Sequence, residues 1–164
     1  MMNEYLIEVK DLKTHFFLDE GTVEAVNGVD FSVDRRQTLG VVGESGCGKS
    51  VTAYSILQLV GKPGRIVEGN IRLHLENETE NGASQSIDVI DIAKLDPRSR
   101  RLRDIRGKEI AMIFQEPMTS LSMMYTVGQQ IMEAVLLHFD VDKDQARERA
   151  IEMLDRVGIP KPEE

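Results

Sequence analysis

The sequence is short of cysteine, of long apolar runs and of positive charge. Cys47 is the single cysteine among 164 residues, so no internal disulfide can form, which fits a reducing compartment. No apolar stretch approaches the roughly 18 residues that a membrane-spanning helix needs. The first residues, Met1 to Tyr5, lack the basic start and apolar run of a secretory leader. We therefore expect any role at a membrane to depend on a partner.

The net charge of −8 argues against a nucleic-acid partner, because no basic stripe is available to neutralise phosphates. One basic cluster exists, and a solvated helix face with Asp96 and Asp104 nearby accounts for it. Its members are Arg98, Arg100, Arg101, Arg103 and Arg106. The length allows one domain of ordinary size, and a hydrophobic content of 41% is enough for a core.

What the sequence does contain is a glycine-rich loop of the form G-x-x-x-x-G-K-S, running from Gly43 to Ser50. The short apolar run 38–42 precedes it and predicts a buried parallel strand. After the loop, apolar residues recur at the spacing of one helix face, namely Ala53, Ile56, Leu57 and Val60. Strand, loop and helix in this order form the context in which the pattern binds phosphate.

Each residue type in the loop suits phosphate chemistry. Glycines let the backbone wrap closely and adopt positive φ, so that N–H groups and the start of the next helix face phosphate oxygens. Lys49 supplies a mobile charge for the β- and γ-phosphates, and the Ser50 hydroxyl is suited to Mg²⁺. The predicted nucleotide contacts are Gly43, Glu44, Ser45, Gly46, Cys47, Gly48, Lys49, Ser50 and Val51. The alternative is a glycine-rich turn that happens to carry a lysine.

Patterns of period two on both sides of the loop predict further strands. Residues 5–9, 15–18 and 23–33 precede the loop and are expected to pair antiparallel, with an interruption at 11–14. Alternation around 71–75 predicts another strand and places His74 on its solvated polar face.

The second half of the chain predicts one more buried strand and then helices. The apolar run 109–114 is the candidate strand, and it leads to Gln115 and the breaker Pro117. One helix face then carries Val127, Ile131, Ala134 and Val135. Asp142 and Gln145 resemble a capping box that opens a last helix.

Two stretches together resemble a known family. They are the loop 43–50 and the run Ile-Ala-Met-Ile-Phe-Gln-Glu-Pro-Met-Thr-Ser-Leu over 110–121. The chain resembles the N-terminal part of an ATP-binding cassette (ABC) ATPase, the motor subunit of a membrane transporter. Within that family it is most similar to dipeptide and oligopeptide importer ATPases, over essentially the whole chain.

The resemblance implies an α/β fold of the P-loop NTPase, ABC ATPase type, with an antiparallel β portion at its N-terminus. Residues 1–117 would form the nucleotide-binding core and 118–164 the start of a helical subdomain. The C-terminal part of the cassette would be absent, so the fold is expected to be truncated.

The resemblance also assigns roles. Lys49 and Gln115 become catalytic candidates, and Ser50 and Gln115 the candidate metal contacts, Gln115 matching a glutamine that reaches Mg²⁺ and the attacking water. The aromatic residue that stacks on adenine matches Phe16 by spacing, with Phe17 as the alternative. The implied cofactors are ATP and Mg²⁺.

The implied partners are transporter membrane subunits, bound through the region after Gln115, and a second ATPase subunit, with no nucleic acid. The implied location is the cytoplasmic face of a bacterial or archaeal cell membrane.

Two departures from the family pattern stand out. Leu121-Ser122-Met123 replaces the usual Leu-Asn-Pro. The Leu-Ser-Gly-Gly signature, the strand ending in Asp-Glu and the switch histidine do not occur, so we expect ATPase activity from the parent protein and not from these residues alone. Three alternatives stay open: an inactive nucleotide-binding or interaction module, the motor of a nickel importer, and a small-molecule kinase, against which the Gln115 segment argues.

Overall fold

The computed structural model describes residues 5–77, 86–115 and 120–163. The chain divides into two compact units, Met1–Leu102 and Arg103–Glu164. The predicted boundary at 117 lies outside the described residues, as do Glu116 and Pro117 of the Phe-Gln-Glu-Pro stretch.

The first unit is built on a four-stranded antiparallel sheet of order β2-β1-β3-β4. The strands are β1 (Tyr5–Leu18), β2 (Gly21–Asp34), β3 (Gly64–Asn77) and β4 (Ser86–Asp91). The prediction that the opening strands pair antiparallel is confirmed, and β1 is a central strand bonded to both β2 and β3. Its alternate residues Ile7 and Val9 are buried, as period two requires.

The predicted interruption at 11–14 is a bulge in a continuous strand. Asp11 has a φ of 46°, and the pairing of β1 with both neighbours shifts register around it. The backbone N–H of Asp11 donates to the carboxylate of Asp30 at 3.0 Å. Because the bulge resets the alternation, Leu12 and Thr14 are buried beyond it.

The first unit also contains helix α1, which spans Lys49–Ile56, and a short 3-10 helix, which spans Ile92–Lys94. Helix α2 spans Arg100–Lys108, across the boundary of the two units, with non-helical backbone at its end. Helix α1 is shorter than predicted, since Val60 of the expected apolar face lies beyond its end. In α2, Leu102 and Ile105 are buried while Arg101, Arg103 and Asp104 are exposed, as the sequence predicts.

Two predicted strands are wrong. Residues 38–42 and 111–114 adopt no regular structure, and the exposed fractions reach 92% at Val42 and 94% at Ile113. Ile110 forms only an isolated bridge to Arg106. A buried parallel strand needs bonded neighbours and apolar cover on both faces. Among the described residues, the paired strands are β1 to β4, and they pair only with one another.

The prediction for His74 is also wrong. Its exposed fraction is 4%, although it alternates with the apolar residues of β3 as expected. Arg35, after β2, donates to the His74 carbonyl at 2.7 Å and pairs with Glu76 at 2.9 Å. Alternation identifies the face of a strand, but neighbouring segments decide whether that face meets water.

The second unit contains α3 (Val127–His138) and α4 (Lys143–Arg156). Thr126 and Gln129 form a capping box at the start of α3, and the predicted box of Asp142 and Gln145 at α4 is confirmed. Val135, Ala146 and Ala150 are buried. Gly158, with a φ of 78°, follows the end of α4. Across the described ranges, no helix has the length and apolar character needed to span a membrane.

Candidate nucleotide-binding site

The phosphate loop is shaped by glycines at two kinds of position. Gly48 caps α1 with a φ of 94°, and a Cβ there would lie 2.3 Å from the carbonyl oxygen of Ala25 in β2. At Gly43, a Cβ would lie 2.7 Å from Cys47 Sγ. A side chain at Gly48 is therefore excluded by the backbone of β2, whereas a side chain at Gly43 would require the Cys47 thiol to move.

Lys49 connects the two ends of this loop. Its Nζ donates to the carbonyl of Gly43 at 2.8 Å and to that of Glu44 at 2.6 Å, and lies 3.6 Å from Cys47 Sγ. An ammonium group has three donors and no acceptor, so an arriving phosphate oxygen would exchange with one of these contacts. The Lys49 ammonium is therefore held against the backbone carbonyls at the start of the loop.

Helix α1 is anchored near its C-terminal end. There, Ser55 Oγ lies 2.8 Å from Thr14 Oγ1 of β1, and both residues are fully buried. Ser55 also donates to the Val51 carbonyl at 2.7 Å. Beyond the helix, the Gln58 side-chain amide donates to the carbonyls of Ile92 and Leu95, the latter at 2.9 Å. These contacts hold the C-terminal end of the helix, whereas the close approach of Gly48 to Ala25 places its start, and the phosphate loop, on β2.

Thr14 and Ser55 are functional anchors that the sequence alone does not predict. Two hydroxyl residues 41 positions apart give no local signal of contact. A serine in a helix whose neighbours are apolar is the only hint, since a buried hydroxyl requires a partner.

Phe16 and Phe17 lie on opposite faces of β1, as successive strand residues do. Phe16 is half-buried and lies opposite Gly64 of β3. Because it is two residues beyond Thr14, it shares the sheet face that carries α1. Phe17 is 39% exposed, and the guanidinium carbon of Arg65 lies 4.4 Å from its ring centroid.

The predicted site residues fall in both units. The loop residues 43–51 and Phe16 belong to the first unit, where the loop, α1 and β1 are joined by the contacts above. Ser50 is exposed in the first turn of α1, and Val51 is half-buried. Gln115 belongs to the second unit and lies exposed in a bend after Phe114. Its role at the phosphates stays a prediction.

The comparison with known families identifies the class of this protein. The model of the ABC transporter family matches residues 26–164, which is most of the chain. The chain therefore belongs to the ABC transporter family, as the two sequence motifs predict.

Among its relatives, the chain is 45% identical to a probable peptide ABC transporter ATP-binding protein of Sinorhizobium fredii, over 98% of this chain and 43% of the relative. It is 42% identical to the oligopeptide transport ATP-binding protein AppD of Bacillus subtilis, over 97% of this chain and 44% of the relative. The chain thus spans less than half the length of these relatives.

Solved structures support the same fold. A dimeric ATP-binding cassette in a post-hydrolysis state, bound to ADP and phosphate, superposes with a TM-score of 0.70 at 20% identity, over 91% of this chain and 56% of that one. A second dimeric ABC transporter cassette gives a TM-score of 0.69 at 21% identity. The predicted fold class, an α/β ABC ATPase fold represented in part, is confirmed.

Proposed function

We propose that this chain is the nucleotide-binding part of the ATP-binding subunit of a peptide importer, whose parent couples ATP hydrolysis to uptake of dipeptides or oligopeptides. The observation that carries the proposal is the loop 43–50, closed by Lys49 and seated on β2 through Gly48. The names of the relatives, which concern peptide and oligopeptide transport, support the choice of substrate class.

In this proposal the loop N–H groups and Lys49 bind the ATP phosphates, and Phe16 contacts the adenine. The residues present fit Mg²⁺, because the Ser50 hydroxyl is exposed at the start of α1, beside the loop. Ser50 would hold the ion, and Gln115 is a candidate second contact on the family resemblance alone. Mg²⁺ usually keeps several waters and takes the rest of its ligands from few protein groups and from phosphates. When bound, it would neutralise phosphate charge during transfer.

ATP hydrolysis is proposed for the parent protein only. Phosphoryl transfer depends almost wholly on positioning and electrostatics, and the sequence after Gln115 holds no Leu-Ser-Gly-Gly signature and no Asp-Glu pair. These residues therefore bind ATP without turnover. In the parent, a second ATPase subunit would complete each site.

The second unit is proposed as the contact for the membrane subunits, on the cytoplasmic face of the membrane. A groove of about 540 Å³ lies along α3 and the start of α4, and its lining is mostly apolar. Met132, Leu136 and Leu137 contribute apolar surface to it, and Leu137 is 74% exposed. An exposed apolar patch of this kind is typical of a protein–protein contact.

The proposal predicts that Lys49→Ala weakens Mg·ATP binding. Loss of a charge-assisted contact of about 1.5–3 kcal/mol raises the dissociation constant about tenfold or more. Isothermal titration of both proteins with Mg·ATP measures the change.

Lys62→Ala serves as the matched control, since Lys62 is an exposed lysine of the same unit outside the loop. Its affinity should equal that of the unaltered chain. Equal affinities of the Lys49→Ala and Lys62→Ala proteins would refute the assignment of the loop as a phosphate site.

A further inference from the structure

We propose that Gly64 and Val60 position the ring of Phe16 for the adenine base, so that these two residues determine affinity for the base and not for the phosphates. The proposal rests on the adenine contact of Phe16 proposed above. We call Gly64 and Val60 the Phe16 seat.

The contact at Gly64 is the main observation. A Cβ placed on Gly64 would lie 2.6 Å from Phe16 Cε1 and 2.8 Å from Phe16 Cδ1. The ring therefore lies over the glycine backbone, in the space that any other residue would fill. An aromatic ring over a cross-strand glycine is a known way of covering such a residue in a sheet.

Val60 completes the seat. Its Cγ1 would also lie 2.6 Å from a Cβ at Gly64, so the valine methyl and the Phe16 ring are neighbours over one point of the backbone. Gly64 does not adopt a positive φ. An alanine there would meet no backbone strain, and its effect would come from displacement of the ring and of Val60.

The backbone of the seat is held firmly. Gly64 N–H donates to the Gly61 carbonyl at 2.9 Å, and Phe17 N–H donates to the Pro63 carbonyl at 3.2 Å. The second bond ties the chain just after Phe16 to the residue just before Gly64. A side chain added at Gly64 would therefore displace the Phe16 ring more easily than the backbone.

The seat shares the sheet face that carries α1, the helix that follows the phosphate loop. Thr14, two residues before Phe16, pairs with Val26 of β2 and contacts α1 through Ser55. Val26 is adjacent to Ala25, whose carbonyl oxygen lies close to Gly48. One strand face thus carries both the helix anchor and Phe16, about 7 Å apart along the strand.

The test compares binding of Mg·ATP with binding of Mg·tripolyphosphate, which has the phosphates but no base. We expect Gly64→Ala to weaken Mg·ATP binding about fivefold, part of the effect of losing a stacked base, and to leave tripolyphosphate binding unchanged. Val60→Ala, which leaves the backbone and Gly64 intact, should shift Mg·ATP affinity in the same direction by a smaller factor. If the Gly64→Ala protein does not fold, Val60→Ala alone still tests the inference.

Gly61→Ala is the matched control, because a Cβ at Gly61 would meet nothing within 4 Å. Phe16→Ala separates the two proposals. If Phe16→Ala leaves Mg·ATP affinity unchanged, the adenine contact itself is wrong. If Phe16→Ala weakens binding while Gly64→Ala and Val60→Ala match Gly61→Ala, the seat is wrong and the adenine contact stands. Equal weakening of both ligands by Gly64→Ala would also overturn the inference.

Discussion

At the scale of single residues, Cys47 offers a direct probe of the phosphate loop. It is exposed, and its Sγ lies beside the Lys49 ammonium within the loop. Because it is the single cysteine of the chain, any alkylation reports on this one position. A triphosphate bound in the loop would cover the thiol.

We predict that Mg·ATP slows alkylation of Cys47 by iodoacetamide. At ten times the dissociation constant, about a tenth of the protein is unliganded, so the rate should fall about tenfold. Intact-mass measurements over time follow the reaction. In the Lys49→Ala protein the same ATP concentration should protect less. Equal alkylation rates with and without saturating ATP would place the nucleotide elsewhere.

At the scale of elements, α1 depends on the buried hydroxyl pair of Thr14 and Ser55 for its attachment to β1. Ser55→Ala removes one hydroxyl and leaves the other buried without this partner. We predict a loss of about 1–3 kcal/mol in the free energy of unfolding, measured by urea denaturation. The double variant Thr14→Val, Ser55→Ala should lose less than the sum of the two single variants, since both polar groups are removed together.

Thr22→Val is a suitable control for this pair, because Thr22 is an exposed threonine of β2. It should change stability by no more than about 0.5 kcal/mol. Additive effects of Thr14→Val and Ser55→Ala would show that the two hydroxyls do not stabilise each other.

The elements that the sequence predicted are those with local signals. The glycine pattern of the loop and the capping box of Asp142 each depend on residues within a few positions. The runs 38–42 and 109–114 gave equally plain strand signals, yet a strand also needs partners, which none of the described strands supplies. The burial of His74 and the contact of Thr14 with Ser55 depend on distant residues, and local patterns do not contain them.

At the scale of the whole molecule, the exposed apolar segments and the absence of the later family motifs both indicate that this chain represents part of the family fold. Val42 and Ile113 are almost fully exposed, in segments whose apolar runs predict buried strands. The chain also spans less than half the length of its peptide-transport relatives.

We predict that the 164-residue chain releases no phosphate from Mg·ATP above the background of its own Lys49→Ala variant. The physical reason is that Lys49, Ser50 and Gln115 alone provide no carboxylate to polarise water. A phosphate-release assay at saturating Mg·ATP measures this. Turnover that disappears in the Lys49→Ala protein would mean that a catalytic carboxylate lies within the chain, and that the assignment of roles is wrong.

The position of Phe16 on β1 also limits how the length of this strand can change. Thr14 and Phe16 are separated by one residue, and strand side chains alternate between faces. Inserting or deleting a residue between them would turn Phe16 to the face opposite α1. An adjacent residue would then occupy its present position on the α1 face. A two-residue change would keep the face but move the ring by about 7 Å along the strand. The segment from Thr14 to Phe16 therefore tolerates substitution at His15 more readily than any change in length.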